Sequence, residues 1–224
     1  MGTLYLVRHG QASLGADNYD NLSGLGQRQS VRLGEYLAHK GLQFDAVYTG
    51  SLKRHAQTWA GIAQGMGSSK SLEPTVRTGL NEYNSEAVIR STSTEPAPRP
   101  TTPESVRAHF LRLRNGLQQW AAGSVTPEGM LPYRDFAGGV AEVLAQIRSQ
   151  HSGNVLLVSS GGPIATAVAL TLGTSPEAFV ELNMRIRNTA LTEFAFTPKR
   201  QALLTFNTLP HLDAAPYADW ASYS

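Results

Sequence analysis

The feature that most constrains this chain is an apolar run that stops abruptly on charge. TLYLV at 3–7 is built from strand formers and ends at once on Arg8 and His9, so it reads as a buried strand opening into a loop. The pattern returns along the chain. FDAVYTG at 44–50 leads into SLKRHAQTWAGIAQGMG, a helical stretch from Ser51, and NVLLVS at 154–159 leads into GGPIATAVALTLG. Between the first two runs, Ser23 precedes GLGQRQSVRLGEYLAHKG, where Leu25, Val31, Leu33 and Leu37 mark a helical face and Gly41 offers a stop. Strand, helix, strand, helix is the pattern of a parallel sheet with helices on its faces.

The rest of the chain fits one α/β domain over 1–224. A third strand is expected at 75–80. STSTEPAPRPTTPES at 91–105 holds four of the 12 prolines and can continue neither helix nor strand, so it is expected to be an exposed loop. SVRAHFLRLRNGLQQWAAG at 105–123 reads as an amphipathic helix, and the span 84–132 as a cap or insertion. YRDFAGGVAEVLAQIRSQ is a helix leading to the fourth strand, while TALTEFAF and QALLTFNT alternate as a closing hairpin.

Bulk composition excludes several classes of protein. With 19 Lys plus Arg against 17 Asp plus Glu, the net charge of +2 provides no broad field for nucleic acid. The absence of cysteine removes disulfides, thiolate metal sites and thiol nucleophiles. MGTLYLVRHG is charged too early for a signal peptide, and no window holds the ~18 apolar residues of a membrane helix. A cytoplasmic protein without membrane or nucleic-acid partners is expected, with a homodimer allowed.

In parallel α/β sheets the loops at the carboxyl ends of the strands gather along one edge, where ligands bind. Arg8 and His9 follow the first strand, Ser51 to Arg54 the second, Glu82 the third and Ser160 to Gly162 the fourth. Planar guanidinium forks such as Arg8 and Arg54 match phosphate oxygens, and a neutral imidazole is a good nucleophile toward phosphorus. Glu82 offers an acid for a leaving oxygen. Gly161 and Gly162, with Pro163 suited to the first helical position, offer backbone amides to an anion. On that placement Gly162 is the N-cap, and Ser160 comes too early to be explained as one. Each residue also has a plainer explanation, a surface arginine, a solvated glutamate or a tight turn; their convergence favours a site.

LYLVRHG at 4–10, SLKRHAQT at 51–58 and LNE at 80–82 together resemble the histidine phosphatase superfamily, also called the phosphoglycerate mutase-like family. The resemblance extends from residue 3 to about 207. It implies a three-layer α/β/α sandwich, a mostly parallel sheet with a closing antiparallel strand, and hydrolysis of a small phosphorylated substrate without metal or cofactor. His9 would attack phosphorus, Arg8 and Arg54 would hold phosphoryl oxygens, Glu82 would be the general acid, and Gly10, Gln11, Ser23, Gly161 and Gly162 would line the phosphate or substrate. Family members carry a second histidine after the fourth strand, where this chain has Ser160. A hydroxyl donates one hydrogen bond and no charge, so activity below that of two-histidine relatives is expected, and Ser160→His is expected to raise it. His151 precedes the fourth strand and belongs to the far edge. His55 is expected to face away from Arg54, and His211 to pack on the surface. Beyond the tripeptide RHG the substrate-contacting positions differ from the family, and NEYNSEAVIR does not resemble the mutases, which favours a phosphatase.

Two other readings compete with the phosphatase. A phosphate-ligand binding or regulatory protein would keep every binding group while Ser160 marks lost catalysis. A serine hydrolase would use Ser160 on an elbow, but Val158 stands where that turn wants glycine. A dinucleotide site at SGLGQRQ fails because Gln29 occupies the third glycine position.

Overall fold

The computed structural model describes residues 1–12, 20–67, 72–93 and 102–223. Strands β1 (Gly2–Arg8), β2 (Ala46–Thr49), β3 (Thr75–Val76), β4 (Asn154–Ser159), β5 (Leu191–Phe196) and β6 (Gln201–Thr208) form one sheet in the order β3-β2-β4-β1-β5-β6. β1, β2, β3 and β4 run parallel, β5 is antiparallel to β1, and β6 is antiparallel to β5. The closing element is therefore a hairpin of two strands, as QALLTFNT and TALTEFAF predict.

Side chains alternate across a strand, and β1 and β4 are apolar on both sides. Tyr5, Val7, Leu156 and Val158 pack against Leu33 and Leu37 of α1 (Gly24–His39) and Trp59 and Ile62 of α2 (Lys53–Gly65). Leu4, Leu6, Val155 and Leu157 face the opposite cluster. There they meet Val88 of α3 (Ser85–Arg90), Leu117 and Trp120 of α4 (Pro103–Ala121), Leu144 and Ile147 of α5 (Tyr133–Gln150), Ile164 and Val168 of α6 (Gly161–Leu172), and Phe179 of α7 (Pro176–Asn183). Each such burial stabilises by roughly 1.5–3 kcal/mol, so the central strands are fixed from both faces and their carboxyl ends are held rigidly.

Several local expectations differ from what is observed. The third strand stops at Val76, because a 3-10 turn at Thr78–Leu80 takes over and buries Leu80. α6 starts at Gly161, which makes Ser160 the N-cap and Pro163 the third helical residue, although the Ser160 side chain makes no capping bond. α4 starts at Pro103 with a capping box between Thr102 and Ser105. The middle of the proline-rich loop, 94–101, lies outside the described residues. Among the described residues no helix is long and apolar enough to cross a membrane.

Candidate active site

β1 and β4 end in register, Arg8 beside Ser159, and the His9 amide donates to the Ser159 carbonyl at 2.8 Å. His9 and Ser160 therefore leave the sheet side by side. α2 begins just after β2 and carries Arg54 in its first turn, while the 3-10 turn after β3 delivers Glu82 to the same edge.

His9 is 2% exposed, and its Nδ1 lies 2.7 Å from the Gly10 carbonyl. A carbonyl only accepts, so Nδ1 carries the proton and Nε2 keeps its lone pair. Burial, followed by the charges of Arg8 and Arg54 and the nearby His55, holds the His9 pKa well below its usual value. The imidazole is neutral at physiological pH, with its lone pair on Nε2. Asn188, itself fully buried, donates its Nδ2–H to the His9 carbonyl at 3.1 Å.

The Arg8 guanidinium is aimed by two carbonyls, those of Ile186 and, at 2.9 Å, Tyr223 near the C-terminus. Arg54 is nearly buried and pairs with Asp20 at 3.0 Å, whose other oxygen accepts the Lys53 amide at the start of α2. Glu82 accepts the Gly162 amide at 3.1 Å and its neighbour's, from Tyr83, at 3.2 Å. Removal from water pushes the Glu82 carboxyl pKa up, against the pull of Arg54. The Gly162 amide, expected to face an anion, is thus taken by Glu82, which also satisfies one open donor of α6.

His55 overturns an expectation. It does not face away: its Nε2 lies 2.7 Å from Ser160 Oγ, both residues are fully buried, and its ring centroid is 5.9 Å from that of His9. Burial, then Arg54, lowers its pKa to about 3, with the Asp20 charge and the Gly50 carbonyl pulling weakly the other way. Gly50 makes the room, because a Cβ there would collide with His55 Nδ1.

The chain matches the family model of the histidine phosphatase superfamily (branch 1) over residues 4–209. It belongs to that superfamily. No curated protein sequence matches it. Among solved structures, a mutant phosphoserine phosphatase from Entamoeba histolytica in complex with phosphoserine superposes with a TM-score of 0.66 at 18% identity, covering 95% of this chain and 100% of that one. A mycobacterial glucosyl-3-phosphoglycerate phosphatase gives 0.67 at 20% identity, with 93% and 99% covered. Phosphoglycerate mutase from Bacillus anthracis gives 0.67 at 18%, with 94% of each chain covered. These likenesses establish the phosphoglycerate mutase-like fold.

The remaining residues of this superfamily member divide by position. Gly10 lies against Gly26 of α1 and donates its amide to Thr58 Oγ1 at 3.0 Å. Ser23 caps α1 by accepting the Gly26 amide at 3.1 Å, and its hydroxyl donates to Gln11 Oε1 at 2.8 Å. Gln11 is held further by Gln29 Oε1, which accepts its amide at 2.9 Å. Ser23 and Gln11 thus bond to each other where α1 begins. His151 contacts the Tyr48 hydroxyl at 3.0 Å, before β4, at the far edge as expected. His211 is not on the surface: it is 1% exposed, with Nε2 2.9 Å from Thr189 Oγ1. Asp20, Asn188 and His55 were not singled out as site residues by sequence; for Asn188 the available signal is its place just before the closing hairpin.

Proposed function

We propose that this protein is a phosphatase of small phosphomonoesters that works through a phosphohistidine on His9, rather than a mutase. The observation that carries the reading is the His9 imidazole, neutral and bonded through Nδ1 so that Nε2 is left as a nucleophile, between two guanidiniums and a carboxyl whose pKa is raised. Similar structures include phosphatases named for phosphoserine and for glucosyl-3-phosphoglycerate, both phosphomonoesters.

In the first step Nε2 of His9 forms a bond to phosphorus as the ester P–O bond breaks. The departing oxygen takes the proton of Glu82, whose raised pKa keeps a fraction of the carboxyl protonated for this purpose. Arg8 and Arg54 face the charge spreading over the phosphoryl oxygens. In the second step a water attacks phosphorus, Glu82 takes a proton from it, and the P–N bond breaks to return neutral His9 and inorganic phosphate.

The test is hydrolysis of an aryl phosphate by the parent and by His9→Ala, with recovery of the phosphorylated enzyme under mild conditions. Turnover through an acid-labile, alkali-stable phosphoenzyme that disappears in His9→Ala is expected. Tight binding of phosphorylated metabolites with neither turnover nor phosphoenzyme would instead identify a phosphate-binding protein.

A further inference from the structure

One buried imidazole has no part in that scheme. His55 is fully covered, stands 5.9 Å from the nucleophile's ring and spends its Nε2 on Ser160 Oγ at 2.7 Å. A polar ring is removed from water here for one hydrogen bond, to a hydroxyl that leaves the sheet beside His9. Its other nitrogen, Nδ1, lies by Gly50, whose carbonyl pulls weakly on it, but it makes no hydrogen bond of normal geometry to the described residues.

On the reading of the site as a phosphohistidine centre, we infer that His55 is a positioning residue. Its Nε2–H donates to Ser160 Oγ and leaves the Ser160 O–H free to donate to an oxygen of the phosphoryl group passing to His9. A serine hydroxyl has one hydrogen, and a buried one spends it on the nearest acceptor. Neighbouring Ser159 does so, donating to the Leu80 carbonyl at 2.6 Å. Were His55 Nε2 to carry a lone pair, Ser160 would donate to it and present only lone pairs to an arriving anion. With the proton on Nε2 the direction reverses and Ser160 becomes a committed donor. The Gly50 carbonyl pulls on Nδ1 and so favours the opposite tautomer, but without a hydrogen bond of normal geometry; a charged acceptor at Ser160 outweighs it and selects the arrangement that donates to the anion. The two links polarise each other in a dry site. No proton passes to the phosphoryl group, and the positive charge comes from Arg8 and Arg54.

The experiment uses the full chain and the variants Ser160→Ala, His55→Ala, His55→Gln and His55→Ala with Ser160→Ala, each checked for folding by thermal melting. Removing one preorganised donor costs about 10²- to 10³-fold in kcat. Ser160→Ala is expected to fall in that range with KM little changed, and His55→Ala to follow it. The double variant should be no slower than Ser160→Ala, because the second residue acts through the first. Glutamine at 55 retains a neutral N–H donor and should recover much of the alanine loss, which a role in packing alone would not predict. Multiplicative losses, a His55→Ala enzyme as fast as the parent, or an acid-stable phosphoserine on Ser160 would each overturn the inference. An inactive parent without phosphoenzyme would sink the phosphatase reading itself. Calorimetric titration with orthovanadate would then still test the pair: equal weakening in the two alanine variants sustains it, while unchanged binding, or none in the parent, overturns it.

Discussion

At the scale of single residues, the distance between Ser160 and His55 reverses an expectation drawn from sequence. With His55 Nε2 only 2.7 Å from Ser160 Oγ and both fully buried, an imidazole at position 160 has no room. Ser160→His is therefore expected to lose about 1–3 kcal/mol of stability through overpacking and to turn over more slowly than the parent. Adding His55→Ala to it opens the space and should restore both melting temperature and kcat relative to the single substitution. A Ser160→His enzyme as stable as the parent and faster would show that the pocket holds two imidazoles after all. Arg8, His9, Arg54 and Ser160 were legible at this edge because each comes just after a recognisable apolar run, whereas Glu82, beyond a two-residue strand, stood out only through the motif LNE. His55 was not legible, because adjacent residues in the body of a helix point about 100° apart. In the first turn that argument fails: every side chain leans toward the helix N-terminus, and the N-terminus of α2 points at the site, so Arg54 and His55 are both buried there.

At the scale of elements, the site depends on how α6 meets the loop after the 3-10 turn. Glu82 is held by the Gly162 amide in the first turn of α6, and Tyr83 after it packs at a tilt against Trp120 of α4, 5.7 Å between centroids. A Cβ at position 162 would collide with Glu82 Oε1 and stand 2.7 Å from the Tyr83 ring. Gly162→Ala should therefore displace the Glu82 carboxyl while leaving His9 in place. The rate is expected to fall by about 10²- to 10⁴-fold, the usual worth of a general acid, for alkyl phosphates with poor leaving groups. Nitrophenyl phosphate, which leaves without protonation, should lose far less. Equal losses on both substrates would remove Glu82 from the role of acid. Elements were legible in proportion to the burial that shaped their composition. β1 and β4, apolar on both faces, were plain, whereas β3 is two residues at the sheet edge and α7 buries only Phe179 and Val180, which leaves little periodicity to read.

At the scale of the whole molecule, three buried imidazoles link stability to pH. His9 is held well below its usual pKa, and His55 and His211 at about 3, in each case chiefly by burial. A histidine that stays neutral when folded but titrates near 6.5 when unfolded binds more protons in the unfolded chain throughout the interval between those values. Stability is therefore complete above about pH 6.5 and lost as pH falls toward the folded values. At pH 5 His55 and His211 each withhold up to about 2 kcal/mol relative to pH 7, and His9 adds to this in the same direction. Together that is comparable with the 5–15 kcal/mol, roughly, that holds most domains folded. Glu82 and Glu193, with pKa values raised by burial, act with the opposite sign: their contribution is present below about pH 4.5 and lost as pH rises through their folded values. They therefore cannot supply the loss between pH 6.5 and 5. Thermal melts across pH 4 to 8 should give a flat Tm above neutrality and a steep decline below it, with cooperative acid unfolding setting in above pH 4. His211→Gln tests the assignment away from His9, since it removes one titrating ring whose Nε2 meets Thr189. The variant's Tm should start lower at pH 8 and fall less steeply below pH 6.5, by the uptake of one proton. An unchanged slope would mean that His211 is already protonated in the folded protein.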